Sequence, residues 1–220
     1  KYDHASVMYH SRALILRKDS WGESDLRLTA LTSDFGKIRL FAQGARKHGA
    51  KLQGHLEPGS VSDISFVIGR NGYRLTTARL DIFPVRSRSS FDKLRALMGM
   101  LIALDRNLLE EKDNADELLR FLEELIGALE AAEHPDTVRR LGVWFHARLA
   151  VFLGIFPSPL SPEARSVPAL AGILAYSPAT AGEADLPPEI LERELNWLTQ
   201  YLGGVFFSTG TVSAALPGLY

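Results

Sequence analysis

The chain has 220 residues, of which 46% are hydrophobic and 23% are charged, as is usual for a globular protein of one large domain or two small ones. It has no cysteine, which excludes disulfides, thiolate zinc sites and cysteine nucleophiles. It has no 18-residue apolar run that would predict a membrane span, and its N-terminus lacks the apolar core of a signal peptide. Residues 1–7 precede Met8, which would be the native start if those residues are an appended segment.

The net charge of −1 conceals an asymmetry along the chain. Residues 1–88 hold 15 Lys and Arg against 8 Asp and Glu, whereas residues 89–220 hold 10 against 18. A basic half followed by an acidic half predicts two modules with different partners. The basic half is expected to meet an anionic polymer or surface.

Five short strands are predicted in the basic half. Apolar or alternating runs, separated by turn residues, place them at 12–18, 26–32, 37–43, 61–68 and 72–82. A tight hairpin is predicted at 69–72, and one long loop separates the third strand from the fourth. Five strands in so short a segment favour a small closed or partly open barrel, and the oligonucleotide-binding barrel has this strand count.

Helical periodicity begins at Phe91 and continues through the acidic half. Apolar stripes predict helices over residues 91–108, 114–129, 135–153 and 188–202, with an irregular proline-rich connector at 155–188. Three signals fall together near residues 84–90: the change from strand to helical periodicity, the change from a net basic to a net acidic sequence, and Pro84. The predicted fold class is therefore α+β, with an oligonucleotide-binding barrel over 8–84 followed by an all-α helical domain over 89–220.

Residues 36–56 are the most informative stretch, because they hold five basic residues and no acid. The strand that begins this stretch places its basic and aromatic side chains on one face: Lys37, Arg39 and Phe41. The other face is apolar: Ile38, Leu40 and Ala42. The glycine-rich continuation, with Arg46, Lys47 and Lys51, predicts a basic loop.

A basic strand with an exposed aromatic ring, followed by a basic loop, is typical of a groove for a nucleic-acid backbone, because charge holds phosphates and an aromatic face can stack a base. The alternative is a surface strand whose Lys and Arg give solubility or protect a sheet edge. The predicted nucleic-acid track also takes in the hairpin and the domain junction, and comprises Lys37, Arg39, Phe41, Arg46, Lys47, Lys51, Arg70, Arg74, Arg86 and Arg88.

Catalytic motifs are incomplete, and no enzyme activity is predicted. Residues 44–51 approach a phosphate-binding P-loop, but Ala50 separates the second glycine from Lys51, and Leu52 stands where Ser or Thr is needed. The histidines lack zinc-ligand spacing. His146, in an apolar helix, is expected to be a satisfied core or boundary histidine.

Glu23 and Asp25 could be paired carboxylates for acid–base or metal chemistry. They lie in a turn rich in Ser and Gly, where carboxylates more often cap backbone amides. Capping is therefore the expected role of these two residues.

Residues 12–58 resemble the N-terminal domain of the RecO family of bacterial recombination mediators and DNA-repair proteins. Three segments carry the resemblance: the GESD-type turn at Asp19–Asp25, the basic strand at Phe35–Arg39, and Gly44-Ala45-Arg46-Lys47 followed by Leu56-Glu57-Pro58. The resemblance is weaker over 59–88. Beyond that point it is mainly an agreement of domain order.

The resemblance implies an oligonucleotide-binding barrel followed by a helical domain, in a cytoplasmic, nucleoid-associated bacterial protein. It implies binding of single- and double-stranded DNA, annealing of complementary strands, work with RecR, contact with the C-terminal tail of single-stranded-DNA-binding protein, and help in loading RecA. Many family members carry a cysteine zinc site after the third helix. This chain has no cysteine there, so neither zinc nor another cofactor is expected.

An acidic tail ending in apolar residues would need a basic rim around a hydrophobic groove. Arg139, Arg140 and Arg148 on the central helix are the candidates, and the alternative is that they pair with nearby Glu and Asp. Two other functions stay open for the whole chain. One is an RNA-binding barrel with a helical appendage, and the other is a protein-interaction scaffold whose basic face meets an acidic partner.

Overall fold

A computed structural model describes residues 7–47, 52–69, 72–110, 114–156, 172–184, 187, 189–190, 193 and 197. The strands in this part of the chain are β1 (Met8–Trp21), β2 (Asp25–Thr32), β3 (Gly36–Ala42), β4 (Val61–Gly69) and β5 (Gly72–Ile82). The helices are α1 (Val85–Ser89), α2 (Phe91–Asn107), α3 (Ala115–Ala131), α4 (Pro135–Phe152) and α5 (Pro178–Ala181), and a 3-10 turn (Gln53–His55) lies between β3 and β4. Most of the predicted connector and of the predicted helix at 188–202 lies outside the described residues.

The five strands form a closed barrel in the order β1-β2-β3-β5-β4. β1 closes it, because its first half pairs with β4 and its second half pairs with β2, both antiparallel. β3 and β5 meet in parallel, where Leu40 pairs with Tyr73 and Phe41 with Arg74. This architecture confirms the predicted fold class, an oligonucleotide-binding barrel followed by helices.

β1 is longer than the sequence predicts. The predicted strand covers residues 12–18, whereas the ladder with β4 begins at Met8 and the ladder with β2 runs on to Trp21. The turn predicted over 19–25 is therefore confined to residues 22–24. The prediction failed here because Asp, Ser and Gly are turn residues by composition, while the pairing partner that extends the strand is distant in sequence.

The interior of the barrel is filled by aliphatic and aromatic side chains from every strand. Phe66 is central: its ring lies 5.1 Å from that of Phe35, 5.3 Å from that of Tyr73 and 5.7 Å from that of Tyr9. Alternate residues along each strand point inward, so the other set is left on the outer face. The outer face is thereby available for charged and aromatic residues.

The compact unit that contains the barrel also includes part of the helical sequence. It comprises Lys1–Pro84 with Leu108–Glu123, and the second unit comprises Val85–Asn107 with Glu124–Tyr220. Within the first unit, Arg12 of β1 donates from Nε and Nη2 to the Glu123 carboxylate at 2.6 and 3.1 Å. Its Nη2 also lies 2.7 Å from Asp81 Oδ2. The domain bounds of 8–84 and 89–220 remain a prediction. Those bounds assign residues 108–123 to the helical domain, whereas the structure groups them with the barrel.

In the second unit, Glu130 of α3 holds the start of α1. Its carboxylate accepts hydrogen bonds from the backbone N–H groups of Arg86 at 2.8 Å and Ser87 at 2.6 Å. Burial alone would raise the pKa of Glu130, but the hydrogen bonds from Ser87 and Arg86, together with the charge of Lys93, outweigh burial and lower that pKa below its ordinary value of 4.5. None of the described helices is long and apolar enough to cross a membrane.

We expect Glu130→Gln to lower the free energy of unfolding by about 1.5 kcal/mol at neutral pH, because charged hydrogen bonds to α1 are lost. The folded-state pKa is lowered, so this stabilisation is present above the unfolded-state pKa near 4.5 and is lost as the pH falls through the folded value. Urea unfolding across an acid-to-neutral pH series measures this difference.

Glu124→Gln is the matched control, since Glu124 is an exposed carboxylate on the same helix. The stabilities of the wild type and Glu130→Gln should differ at pH 7 and converge in acid. A difference that stays constant across the whole pH series would contradict this role of Glu130.

Candidate nucleic-acid interface

The outer face of β3 carries the predicted basic and aromatic side chains. The apolar residues predicted to face inward are buried in the barrel core: Ile38, Leu40 and Ala42. Between them, Arg39 exposes 69% of its side chain, while Lys37 and Phe41 are half-buried. The structure therefore has the alternation that the sequence predicts for this strand.

The hairpin between β1 and β2 holds the beginning of the basic loop. Asp25 Oδ1 accepts a hydrogen bond from the Gly44 N–H at 2.7 Å, and the Ser24 carbonyl accepts one from the Arg46 N–H at 2.8 Å. Arg46 Nη1 donates to the Gly22 carbonyl at 3.3 Å. Gly44 has a φ of 67°, a conformation that favours glycine. Asp25 thus caps a backbone amide, as its turn context predicts.

Phe41 lies between two arginines on neighbouring strands. Arg27 of β2 is its antiparallel partner, and Arg74 of β5 is its parallel partner. The Trp21 ring lies 6.2 Å from that of Phe41 at an interplanar angle of 72°, and Arg27 Cζ lies 4.8 Å from the centre of the Trp21 ring. These contacts form an aromatic–arginine cluster, which we define as Trp21, Arg27, Phe41 and Arg74.

Sequence reasoning missed Trp21 and Arg27, two of the four members of this cluster. The predicted first strand ends at Lys18, so the sequence places Trp21 in the turn that follows it. The available signal was a large aromatic residue directly before Gly22, in a segment otherwise made of small and charged residues. Arg27 lay on a correctly predicted strand, but only the pairing of β2 with β3 brings it beside Phe41.

Acidic side chains also reach this face of the barrel. Asp19 Oδ2 lies 3.0 Å from Arg17 Nε and 3.6 Å from Arg27 Nη2, and Glu110 Oε1 lies 3.5 Å from Arg39 Nε. These pairs are exposed to solvent, and such pairs contribute about 0–1 kcal/mol each. A phosphate group is therefore able to compete with Asp19 and Glu110 for the arginines that they contact.

The barrel unit brings together six of the predicted track residues: Lys37, Arg39, Phe41, Arg46, Lys47 and Arg74. Arg46 and Lys47 are both exposed. Lys51 and Arg70 lie outside the described residues. Arg86 and Arg88 belong to the second unit, where Arg86 is exposed on α1 and Arg88 is half-buried.

The three arginines predicted to form a basic rim on α4 differ in their contacts. Arg139 Nη1 lies 3.0 Å from Asp136 Oδ1, which is the ion pair that the alternative predicts. Arg140 donates to the Gly182 carbonyl at 3.4 Å, and Arg148 donates to the Leu174 carbonyl at 2.6 Å. Arg140 and Arg148 are thus bonded to the backbone of residues 172–184.

A shallow groove within the second unit runs between α2 and α4. Arg139 lines it, whereas Arg140 and Arg148 are not among its lining residues, so the predicted three-arginine rim is not assembled there. Arg95 of α2, which sequence reasoning missed, lines the same groove. The remaining lining residues are mostly small or apolar: Asp92, Ala96, Pro135, Val138, Gly142, Val143 and His146.

His146 is half-buried and hydrogen-bonded, in agreement with the predicted satisfied core or boundary histidine. Burial lowers its pKa, and a hydrogen bond to the Gly142 carbonyl opposes this effect only in part. Because a carbonyl can only accept, Nδ1 carries the proton and donates to Gly142 at 2.7 Å. Within the described ranges, no group of three or more His, Asp or Glu side chains is placed to hold a metal ion.

The barrel segment of the chain is similar to a known protein family. Residues 7–82, which span the barrel strands, match the family model described as "Recombination protein O N terminal". Over these residues the chain is similar to the N-terminal domain of the RecO family. The RecO resemblance of residues 12–58 is thereby confirmed.

Two curated relatives bear the name "DNA repair protein RecO". One, from a Nocardioides species, is 30% identical over 129 residues, covering 58% of this chain and 53% of the relative. The other, from a Roseiflexus species, is 33% identical over 125 residues, covering 56% of this chain and 42% of the relative. The chain thus spans about half the length of the RecO relatives that it matches.

The anchoring of the basic loop on the barrel can be tested at Asp25. Asp25→Ala and Asp25→Asn both remove one negative charge, but only the alanine removes the oxygen that accepts from Gly44. We expect amide exchange at Gly44 and Arg46 to become about 5- to 30-fold faster in Asp25→Ala, the effect of losing about 1–2 kcal/mol.

Hydrogen-exchange measurement on the two variants gives the comparison, and the amides of β3 serve as an internal reference. Exchange at residues 43–47 should stay near the wild-type rate in Asp25→Asn. Equal acceleration in both variants would mean that the charge of Asp25, and not its hydrogen bond, holds the loop.

Proposed function

We propose that this chain is a DNA-binding recombination mediator that acts in DNA repair and catalyses no covalent reaction. The observation that carries the proposal is the outer face of β3, where Lys37, Arg39 and Phe41 lie on the same barrel unit as the anchored basic loop. The match of residues 7–82 to the RecO N-terminal domain supports it. So do the names of the two curated relatives.

Binding would depend mainly on the phosphate backbone. Arg39, Arg46 and Lys47 present exposed cations that do not depend on the order of bases, and phosphate contacts carry no sequence information by themselves. Binding to single- and double-stranded DNA is therefore expected to be largely independent of sequence. If three phosphates are neutralised, the logarithm of affinity for single strands falls with the logarithm of salt at a slope of about −2.

Annealing of complementary strands follows from the same electrostatics. A basic surface that holds two strands screens their mutual repulsion and raises their local concentration. In the proposed pathway this chain works with RecR and helps RecA to load onto DNA coated by single-stranded-DNA-binding protein. It would act as a nucleoid-associated bacterial protein. The proposal includes no zinc and no other cofactor.

The groove between α2 and α4 is the proposed docking site for the C-terminal tail of single-stranded-DNA-binding protein. Arg95 and Arg139 would receive its acidic side chains, and Ala96, Val138 and Val143 offer an apolar floor for its apolar end. The side chains of the carboxylates that pair with the two arginines are about half exposed, at 47% for Asp92 and 50% for Asp136. Exposed ion pairs are weak, so a carboxylate of the tail can take the place of Asp92 or Asp136.

The DNA site can be tested by fluorescence anisotropy of a labelled single-stranded oligomer across a salt series. We expect the wild type to bind with a salt slope of about −2. The Arg46→Glu, Lys47→Glu, Lys51→Glu variant should bind far more weakly and with a shallower slope, because the phosphate contacts of the basic loop are lost. An RNA oligomer of the same sequence tests the RNA-binding alternative.

A matched control reverses the same number of charges elsewhere, at the exposed residues Arg79, Arg106 and Arg120. The control should keep most of the wild-type affinity. Equal loss in both triple variants would attribute binding to net charge and not to the basic loop. Absence of binding by the wild type at low salt would overturn the DNA-binding proposal and favour a protein-interaction scaffold.

The tail site can be tested with a labelled peptide of the single-stranded-DNA-binding-protein C-terminus. Arg95→Ala with Arg139→Ala should weaken peptide binding by about 10-fold or more, because two charge-assisted contacts are lost. Arg120→Ala is the control, since Arg120 is an exposed helical arginine paired with an aspartate in the same way as Arg139. Arg140 is left intact because it contacts the backbone of Gly182. Unchanged peptide binding in the double variant would remove this groove from the proposal.

A further inference from the structure

The aromatic–arginine cluster on the barrel exposes a tryptophan that the core does not require. Trp21 is 49% exposed, whereas the barrel interior is already filled by buried residues from all five strands. An indole ring buries a large apolar area when it packs, so leaving half of it in water forgoes stabilisation. This exposure favours a role in binding over a role in packing.

The ring surroundings provide both apolar and cationic contacts. The Trp21 and Phe41 rings meet edge to face at 6.2 Å, so each ring limits the movement of the other. The Arg27 guanidinium lies 4.8 Å from the Trp21 ring centre, within the distance at which cation–π attraction operates. The indole is therefore held in place before any ligand arrives.

The two arginines lie on either side of the aromatic pair. Arg27 and Arg74 pair with Phe41 from the strands on its two sides, and neighbouring strands lie about 4.8 Å apart, so their backbones are about 10 Å apart. Arg27 Nε is buried and makes no hydrogen bond within the described part of the chain. Arg74 is exposed. An aromatic surface between two cations matches the chemistry of one nucleotide and its two flanking phosphates.

We infer that Trp21 and Phe41 form a stacking subsite for a single unpaired nucleobase, with Arg27 and Arg74 holding the adjacent phosphates. This inference rests on the proposed DNA-binding function and adds a residue-level basis for preferring single strands. A base in a duplex is stacked and paired, so it cannot reach the indole, whereas the phosphates of either form can reach the basic loop. Single-strand preference thus depends on Trp21, and affinity for both forms depends on the loop.

The test compares single-stranded and duplex DNA of equal length in Trp21→Leu and Trp21→Phe. Leucine keeps apolar bulk beside Phe41 but has no aromatic face, while phenylalanine keeps one. We expect Trp21→Leu to lose about 5- to 150-fold in single-strand affinity, the range found for one stacked base, and less than about 2-fold in duplex affinity. Trp21→Phe should retain most of the single-strand affinity.

Fluorescence gives a second readout that does not depend on affinity. Trp144 is buried and Trp197 is half-buried, so the measurement uses a Trp197→Phe background. In that background, quenching by a bound single strand should come from Trp21 and be lost when Trp21→Phe is added. This measurement tests the subsite even if Trp21→Leu fails to fold. Quenching that persists in the Trp21→Phe, Trp197→Phe variant would overturn the subsite.

The remaining outcomes separate the subsite from the proposed function. Equal weakening of single-strand and duplex binding in Trp21→Leu, or no weakening of either, overturns the subsite while DNA binding stands. A wild-type protein that binds neither form overturns the proposed function and the subsite together. Selective loss of single-strand binding, with quenching confined to Trp21, supports both.

Discussion

Closure of the barrel by β1 is the constraint on which the rest of the structure depends. One strand pairs with β4 along its first half and with β2 along its second, so a single hydrogen-bonded ring of strands encloses the aliphatic and aromatic core. Because side chains alternate along a strand, a filled interior commits the remaining residues to the outside. The same ring gives β3 a neighbour on each side, and this is what places an arginine on either side of Phe41.

Charged residues near the basic face serve two separate purposes. Asp25 is an acid in the middle of a basic region, yet its carboxylate satisfies the Gly44 amide and ties the loop to the hairpin. Arg46 is tied to the same hairpin through its backbone and still presents an exposed side chain. An anchored loop loses less conformational entropy when a ligand binds than a free one, so the anchor favours binding although the acid itself repels phosphate.

In the helical unit, much of the charge is used for internal contacts. Glu130 holds the start of α1, and Arg140 and Arg148 bond to backbone carbonyls of residues 172–184. Arg95 and Arg139 each pair with an acid that is about half exposed, in a groove with an apolar floor. The two pairs of arginines have different partners. A backbone carbonyl is held in place by the fold, whereas water or another acid can readily displace an exposed carboxylate from its arginine.

The sequence by itself determined the five strands, the change to helices near residues 84–90, and the two faces of β3, because each follows from local periodicity and turn chemistry. It also indicated that Asp25 caps an amide and that His146 is a satisfied core or boundary histidine. Tertiary structure alone decided that β1 continues to Trp21, that Arg27 and Arg74 meet Phe41, and that residues 108–123 belong with the barrel. These three results depend on pairing and packing between segments far apart in the chain, and local periodicity carries no information about which distant partner a strand or helix will find.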